Sequence, residues 1–235
     1  LGESARAFFG GHVAVVGGAR EVPVDGGTET VFTDEVHVAS LDAMKGELGA
    51  FADAGTSLLV PRIRAGVVAS GGHVYVLGGR TTGYATIASV EMASADEASG
   101  AIGTFAAQPS LSVGGQDHAV FQPAAVVAEG HLYVAGGRVA GNNQPTDVVL
   151  ASKIDAATGA LTEFRAQPKL PRPLRDFAMI AHRGVLYVVG GADPSGRTAA
   201  VLTARIDANG DLSAWEEAGN APLPAPRSDG VAIAY

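Results

Sequence analysis

The chain has 235 residues, 47% of them apolar and 17% charged, with glycine at 32 positions and a formal net charge of −8. Cysteine is absent, which excludes a disulfide framework and any thiolate metal site. Thirteen Arg and three Lys are scattered without a basic tract, so nucleic acid is not an expected partner, and no apolar run reaches the ~20 residues needed for a membrane helix.

Short apolar runs divided by glycine turns predict strands. "SARAFF" (4–9) and "GGHVAVVGG" (10–18) open the chain as a candidate hairpin, followed by a long connection, "EVPVDGGTETVFTD" (21–34). "AGVVAS" (65–70) and "HVYVLGG" (73–79) form the next hairpin. "ASVEMASAD" (88–96) and "SGAIGTF" (99–105) form another, with Asp and Gly supplying its turn. "HLYVAGGR" (131–138) and "VLYVVGGA" (185–192) repeat the second strand, and "VAGNNQPTD" (139–147) is another variable connection. The last stretch, "LPAPRSDGVAIAY" (223–235), reads as a lead-in segment and one more strand.

Three markers recur in register. Glycine pairs stand at Gly17-Gly18, Gly78-Gly79, Gly136-Gly137 and Gly190-Gly191. A turn glycine (Gly46, Gly100, Gly159, Gly210) follows an aspartate (Asp42, Asp96, Asp155, Asp207), and five residues later comes an aromatic: Phe51, Phe105, Phe164, Trp215. Four units of about four strands result, over approximately 5–58, 59–111, 112–170 and 171–222. Residues 223–235 are left as a closing strand or the start of a further unit. A sheet apolar on both faces must pack between neighbours, as blades in a ring do.

These markers resemble the kelch repeat, a β-propeller blade. The match rests on Tyr75, Tyr133 and Tyr187 before the Gly-Gly pairs, the four turn aspartates, the four aromatics, and Pro-Arg lead-ins at 60–62, 170–175 and 223–227. Ala14 replaces the first Tyr, three Trp positions hold Phe, and the third unit enters through "GGQDHAVFQP" (114–123) without Pro-Arg. The resemblance implies an all-β, kelch-type β-propeller with four four-stranded blades plus one extra lead-in strand. It leaves open a closed four-blade ring, a fragment of a larger propeller, or closure through an oligomer.

Phosphate loops need G-x-G-x-x-G or G-x-x-x-x-G-K-[ST] leading into a helix, and none of the Gly-Gly pairs offers either. They read as packing glycines. His12, His73 and His131 share one repeat position and would be spread around a ring, so they read as turn histidines and no metal is expected. "DANGD" (207–211) lacks the Gly and Glu of a calcium loop and reads as an Asx turn. Galactose oxidase, similar in architecture, builds its cofactor on a Cys-Tyr crosslink that this chain cannot make. No G-x-S-x-G elbow occurs, and no cofactor is expected.

Strand geometry puts the lead-ins and the connections between second and third strands on one rim. That rim carries Arg20, Arg62, Arg64, Arg80, Arg138, Arg172, Arg175, Arg197 and Arg227, while the turn acids lie on the opposite rim. Guanidinium forks suit carboxylate, sulfate or phosphate. The competing reading pairs them with nearby Glu21, Asp25, Glu29, Asp34, Asp147, Asp193 and Asp229. The first expectation is a non-catalytic binding or scaffold propeller, exported or at the cell surface, holding a protein or acidic glycan. An alternative is an enzyme acting on an acidic sugar, as in the sialic acid isomerases that some kelch-like propellers resemble, with Glu129, His118 or Asp117 as conceivable acid-base groups. A structural module of a larger assembly is the third.

Overall fold

The computed structural model describes residues 2–42, 44–219 and 221–233, and the chain is all-β. Sheet 1 joins β1 (Ala5–Phe9), β2 (His12–Val24), β3 (Gly27–Asp42), β4 (Glu47–Leu48) and β5 (Ala52–Ser57). Sheet 2 follows as β6 (Gly66–Ser70), β7 (His73–Leu77), β8 (Val90–Ser94) and β9 (Ala106–Gln108). Three short strands, β10 (Ser112–Val113), β11 (Gln116–Asp117) and β12 (Val120–Phe121), lead into sheet 3. That sheet holds β13 (Ala124–Ala128), β14 (His131–Ala135), β16 (Val149–Lys153) and β17 (Arg165–Ala166), while β15 (Arg138–Val139) pairs with β12. Sheet 4 holds β18 (Ala178–His182), β19 (Val185–Val189), β22 (Val201–Arg205) and β23 (Glu216–Glu217), with β20 (Ala192–Asp193) and β21 (Gly196–Arg197) as a separate ribbon.

All pairing is antiparallel, the strands of sheets 2 to 4 follow chain order while β5 of sheet 1 returns to β3, and first strands stack side by side: β1 on β6, β6 on β13, β13 on β18. Apolar alternation on both faces produces this stack, because each sheet must bury two surfaces. Three cores fill the joints. Phe9, Val16, Val76 and Phe105 lie between sheets 1 and 2. Tyr75, Leu77, Leu132 and Phe164 lie between sheets 2 and 3. Tyr133, Leu174, Leu186 and Trp215 lie between sheets 3 and 4. The arrangement is propeller-like.

The glycine pairs sit where neighbouring sheets come closest. Gly136 (φ +58°) would put a Cβ 2.6 Å from the Leu174 carbonyl of the next lead-in, and Gly137 (φ +92°) one 2.8 Å from the Phe121 carbonyl of its own. Gly17, Gly78 and Gly190 meet the carbonyls of Arg62, Val120 and Arg227 in the same way, so a side chain is excluded on steric and backbone grounds alike.

Three expectations are corrected. The connection at 21–34 is a hairpin: β2 and β3 run on together to Val24 and Gly27, reversing at Asp25-Gly26. The aromatic five residues after each turn glycine, expected within the second hairpin of its unit, stands immediately before the final strand of its sheet: Phe51 before β5, Phe105 before β9, Phe164 before β17 and Trp215 before β23. Residues 230–233 form no strand, having no second strand to pair with. Ala234 and Tyr235, also expected there, lie outside the described residues.

Candidate axial pocket

Two residues ahead of each first strand stands a polar residue with left-handed backbone: Glu3 (φ +56°), Arg64 (φ +53°), Gln122 (φ +53°) and Asp176 (φ +56°), joined by Asp229 (φ +58°) in the last lead-in. Such a conformation disfavours non-glycine residues, and five at one repeat position mark a constrained ring. Backbone bonds link its members: Arg64 N to Glu3 O (3.0 Å), Gln122 N to Arg64 O (2.7 Å), Asp229 N to Asp176 O (2.8 Å).

All five line one pocket of about 910 Å³, together with Arg138, Arg175, Arg197 and Ser228. Arg64 donates through Nε to Glu3 Oε1 at 2.8 Å. The nearly buried Asp176 carboxylate accepts from Arg138 at 3.2 Å and also from Arg175. Arg197 Nε donates to Ser228 Oγ at 3.1 Å, and Ser228 in turn donates to Asp229 Oδ2 at 2.8 Å. Asp229 makes no ion pair among the described residues. Gln122 Oε1 and Arg138 Nε are buried without a hydrogen-bond partner among them. An anion with hydroxyl groups would satisfy both kinds of atom.

Of the nine arginines expected on the rim, Arg64, Arg138, Arg175 and Arg197 come together here. Arg80 stands close by, its guanidinium 3.8 Å over the Phe121 ring and bonded to Asn143. Burial lowers its pKa, and the Arg64 and Arg138 charges lower it further. Arg20 pairs with Glu35 at 3.6 Å, Arg172 with Glu217 at 3.5 Å, and Arg227 donates to the Ala225 carbonyl. Arg62 is not on a binding surface at all. It is buried, donates to the Val60, Gly78 and Ser89 carbonyls, and pairs with Glu91.

The acidic partners are also other than expected: Glu3, Glu35, Glu91, Asp176 and Glu217 hold these arginines. Glu129, His118 and Asp117 do not line the pocket. Sequence reading missed Gln122, Asp176, Glu3 and Ser228. Superposing the units shows a polar side chain two residues ahead of every first strand, a signal that was present.

The stacked sheets and their polar axis define an all-β, propeller-like protein. Among solved structures, that of YjhT is similar, with a TM-score of 0.69 and 14% identity over 97% of this chain and 73% of that one. At that identity the likeness concerns fold alone. No protein-family model matches the chain, and comparison with curated proteins finds no match. No helix among the described residues is long and apolar enough to cross a membrane.

Proposed function

We propose that the axial pocket binds a small carboxylated or otherwise anionic polyol, of the acidic-sugar class, either free or at the end of a glycan. The reading rests on one observation: Arg64, Arg138, Arg175 and Arg197 converge on a pocket of about 910 Å³ that also holds unpartnered buried atoms of Gln122 and Arg138. That volume lies within the roughly 300–1,000 Å³ of ordinary small-molecule sites. The sheets are read as kelch-type blades, an assignment supported by the Tyr and Gly-Gly positions. An exported or cell-surface location goes with a glycan ligand.

Calorimetric titration with a panel of acidic monosaccharides, beside their neutral counterparts, tests this. Binding of an acidic member is expected, and Arg138→Ala or Arg197→Ala should each weaken it by about tenfold or more. Equal affinity for neutral and acidic sugars would sink the reading.

A second reading, catalysis on that sugar, is favoured by Asp229. Unlike Glu3 and Asp176, it is not engaged by a cation among the described residues; it accepts the Ser228 hydroxyl and lines the pocket, where a carboxylate is a candidate general base. Turnover of a bound sugar that Asp229→Asn abolishes, with affinity retained, would select catalysis over binding alone.

A further inference from the structure

The second glycine of each pair donates its N–H to a lead-in carbonyl further along the chain: Gly18 to Arg62 at 2.8 Å, Gly79 to Val120 at 2.9 Å, Gly137 to Leu174 at 3.1 Å and Gly191 to Arg227 at 2.9 Å. Two residues beyond each acceptor stands a left-handed member of the axial ring, Arg64, Gln122, Asp176 or Asp229. This register matches the residue after each glycine pair with one ring position. Ala19 goes with Arg64, Arg80 with Gln122, Arg138 with Asp176 and Ala192 with Asp229.

Two of the four matches bring an arginine to the ring, and they differ in what answers it. Arg138 donates to the Asp176 carboxylate at 3.2 Å. Arg80 is matched instead with a neutral amide. Its guanidinium lies 3.8 Å over the ring of Phe121, the neighbour of Gln122 in the chain, and one amino group donates to Asn143 Oδ1. Among the described residues, Arg80 Nε and Gln122 Oε1 are both buried without a hydrogen-bond partner, and Arg80 makes no ion pair. Burial, and then the charges of Arg64 and Arg138, lower the Arg80 pKa, so the three guanidiniums act on one another.

Charge points the same way. In a chain of net charge −8, the pocket lining sets four arginines against three carboxylates, an excess that one carboxylate on a ligand balances. Arg80 adds a second uncompensated cation beside that lining, its backbone bridged to Ile63 next to Arg64.

We propose that the axial ligand carries two anionic groups, and that the second, an oxyanion group, accepts from Arg80 Nε while an adjoining hydroxyl donates to Gln122 Oε1. For its first group the inference rests on the acidic-sugar reading; the Arg80 subsite stands on its own geometry. An oxyanion beside a hydroxyl satisfies both buried atoms at once. Stacking on Phe121 fixes the plane of the guanidinium for it, and Gln122 keeps out the internal carboxylate that occupies Arg138.

Calorimetric titration with glucuronate and galacturonate, each beside its 1-phosphate, tests the proposal, the readout being the ratio of Kd for the uronate to Kd for its 1-phosphate. A ratio of about ten or more is expected for the parent with at least one sugar. It should fall to about one in Arg80→Gln, and likewise in Gln122→Glu, which gives Arg80 the acid that Arg138 already has. Arg80→Lys should retain part of the gain, since the charge stays while the Nε donor is lost. A parent ratio near one with both sugars, or a ratio that Arg80→Gln leaves unchanged, overturns the proposal. If neither sugar binds, the acidic-sugar reading fails by itself and inorganic phosphate decides the subsite. Phosphate is expected to slow site-resolved phenylglyoxal modification of Arg80 by at least about threefold in the parent chain, and absence of protection overturns the subsite.

Discussion

Arg62 and Arg138 carry the same guanidinium into opposite surroundings. Arg62 is enclosed by backbone carbonyls and Glu91, while Arg138 reaches the axis, where Asp176 holds it and its Nε is left unpaired among the described residues. Burial lowers the Arg62 pKa, and the Glu91 charge opposes that shift. Neutralising Glu91 would leave a buried cation without its counter-ion. Glu91→Gln is therefore expected to lower unfolding stability by about 3–5 kcal/mol in urea melts, with Arg62→Met/Glu91→Met recovering most of the loss. A single-variant loss below about 1 kcal/mol would mean that water relaxes the pair. Their local motifs differ, Pro61-Arg62 in a lead-in and Arg138 after Gly136-Gly137, yet neither motif says which guanidinium is buried. Glu91 lies 29 positions from Arg62, on β8, so only sheet pairing decides which guanidinium is consumed by structure.

The element that repeats is a strand ending in Gly-Gly, and in β7 and β14 its tyrosine ties one sheet to the next, Tyr75 donating to the Gly159 carbonyl and Tyr133 to that of Gly210. Tyr75 and Tyr133 are fully buried, and burial raises their phenol pKa from 10.0 to about 12. The folded chain thus keeps both protons at a pH where the unfolded chain releases them. The stability tied to keeping these buried phenols protonated is full below pH 10 and falls as pH rises from 10.0 toward about 12. Urea melts across that window should show stability declining more steeply for the parent than for Tyr75→Phe/Tyr133→Phe, and identical slopes would mean that the two phenols titrate alike in the folded and unfolded chain. The strand was legible in sequence because each of its glycines answers a backbone approach that recurs in every unit. The hairpin of β2 and β3 was not, since its outer residues pair only with each other and carry turn-like Gly, Pro and Asp.

At the scale of the molecule, four sheets share three cores, so sheets 2 and 3 are enclosed on both faces and sheets 1 and 4 on one. Stability in such stacks is a sum over nearest-neighbour joints. Native-state hydrogen exchange is therefore expected to be slowest in β7 and β14 and faster in β1 and β19. Equal protection of β19 and β14 in chain 1–235 would contradict an arc with an open end.

The amino-acid sequence by itself determined the all-β, strand-by-strand character of the chain and the structural role of the glycine pairs, because each depends on local periodicity and on chain contacts repeated at a fixed spacing. Only the tertiary structure decided which side chains gather at the axis. Glu3, Arg64, Gln122, Asp176 and Asp229 share a left-handed backbone and one pocket, yet they have neither charge nor size in common. Their convergence is set by the stacking of first strands, which brings Arg64, Arg138, Arg175 and Arg197 to the pocket, beside the acids that hold three of them, and leaves Arg20, Arg62 and Arg172 paired with glutamates elsewhere.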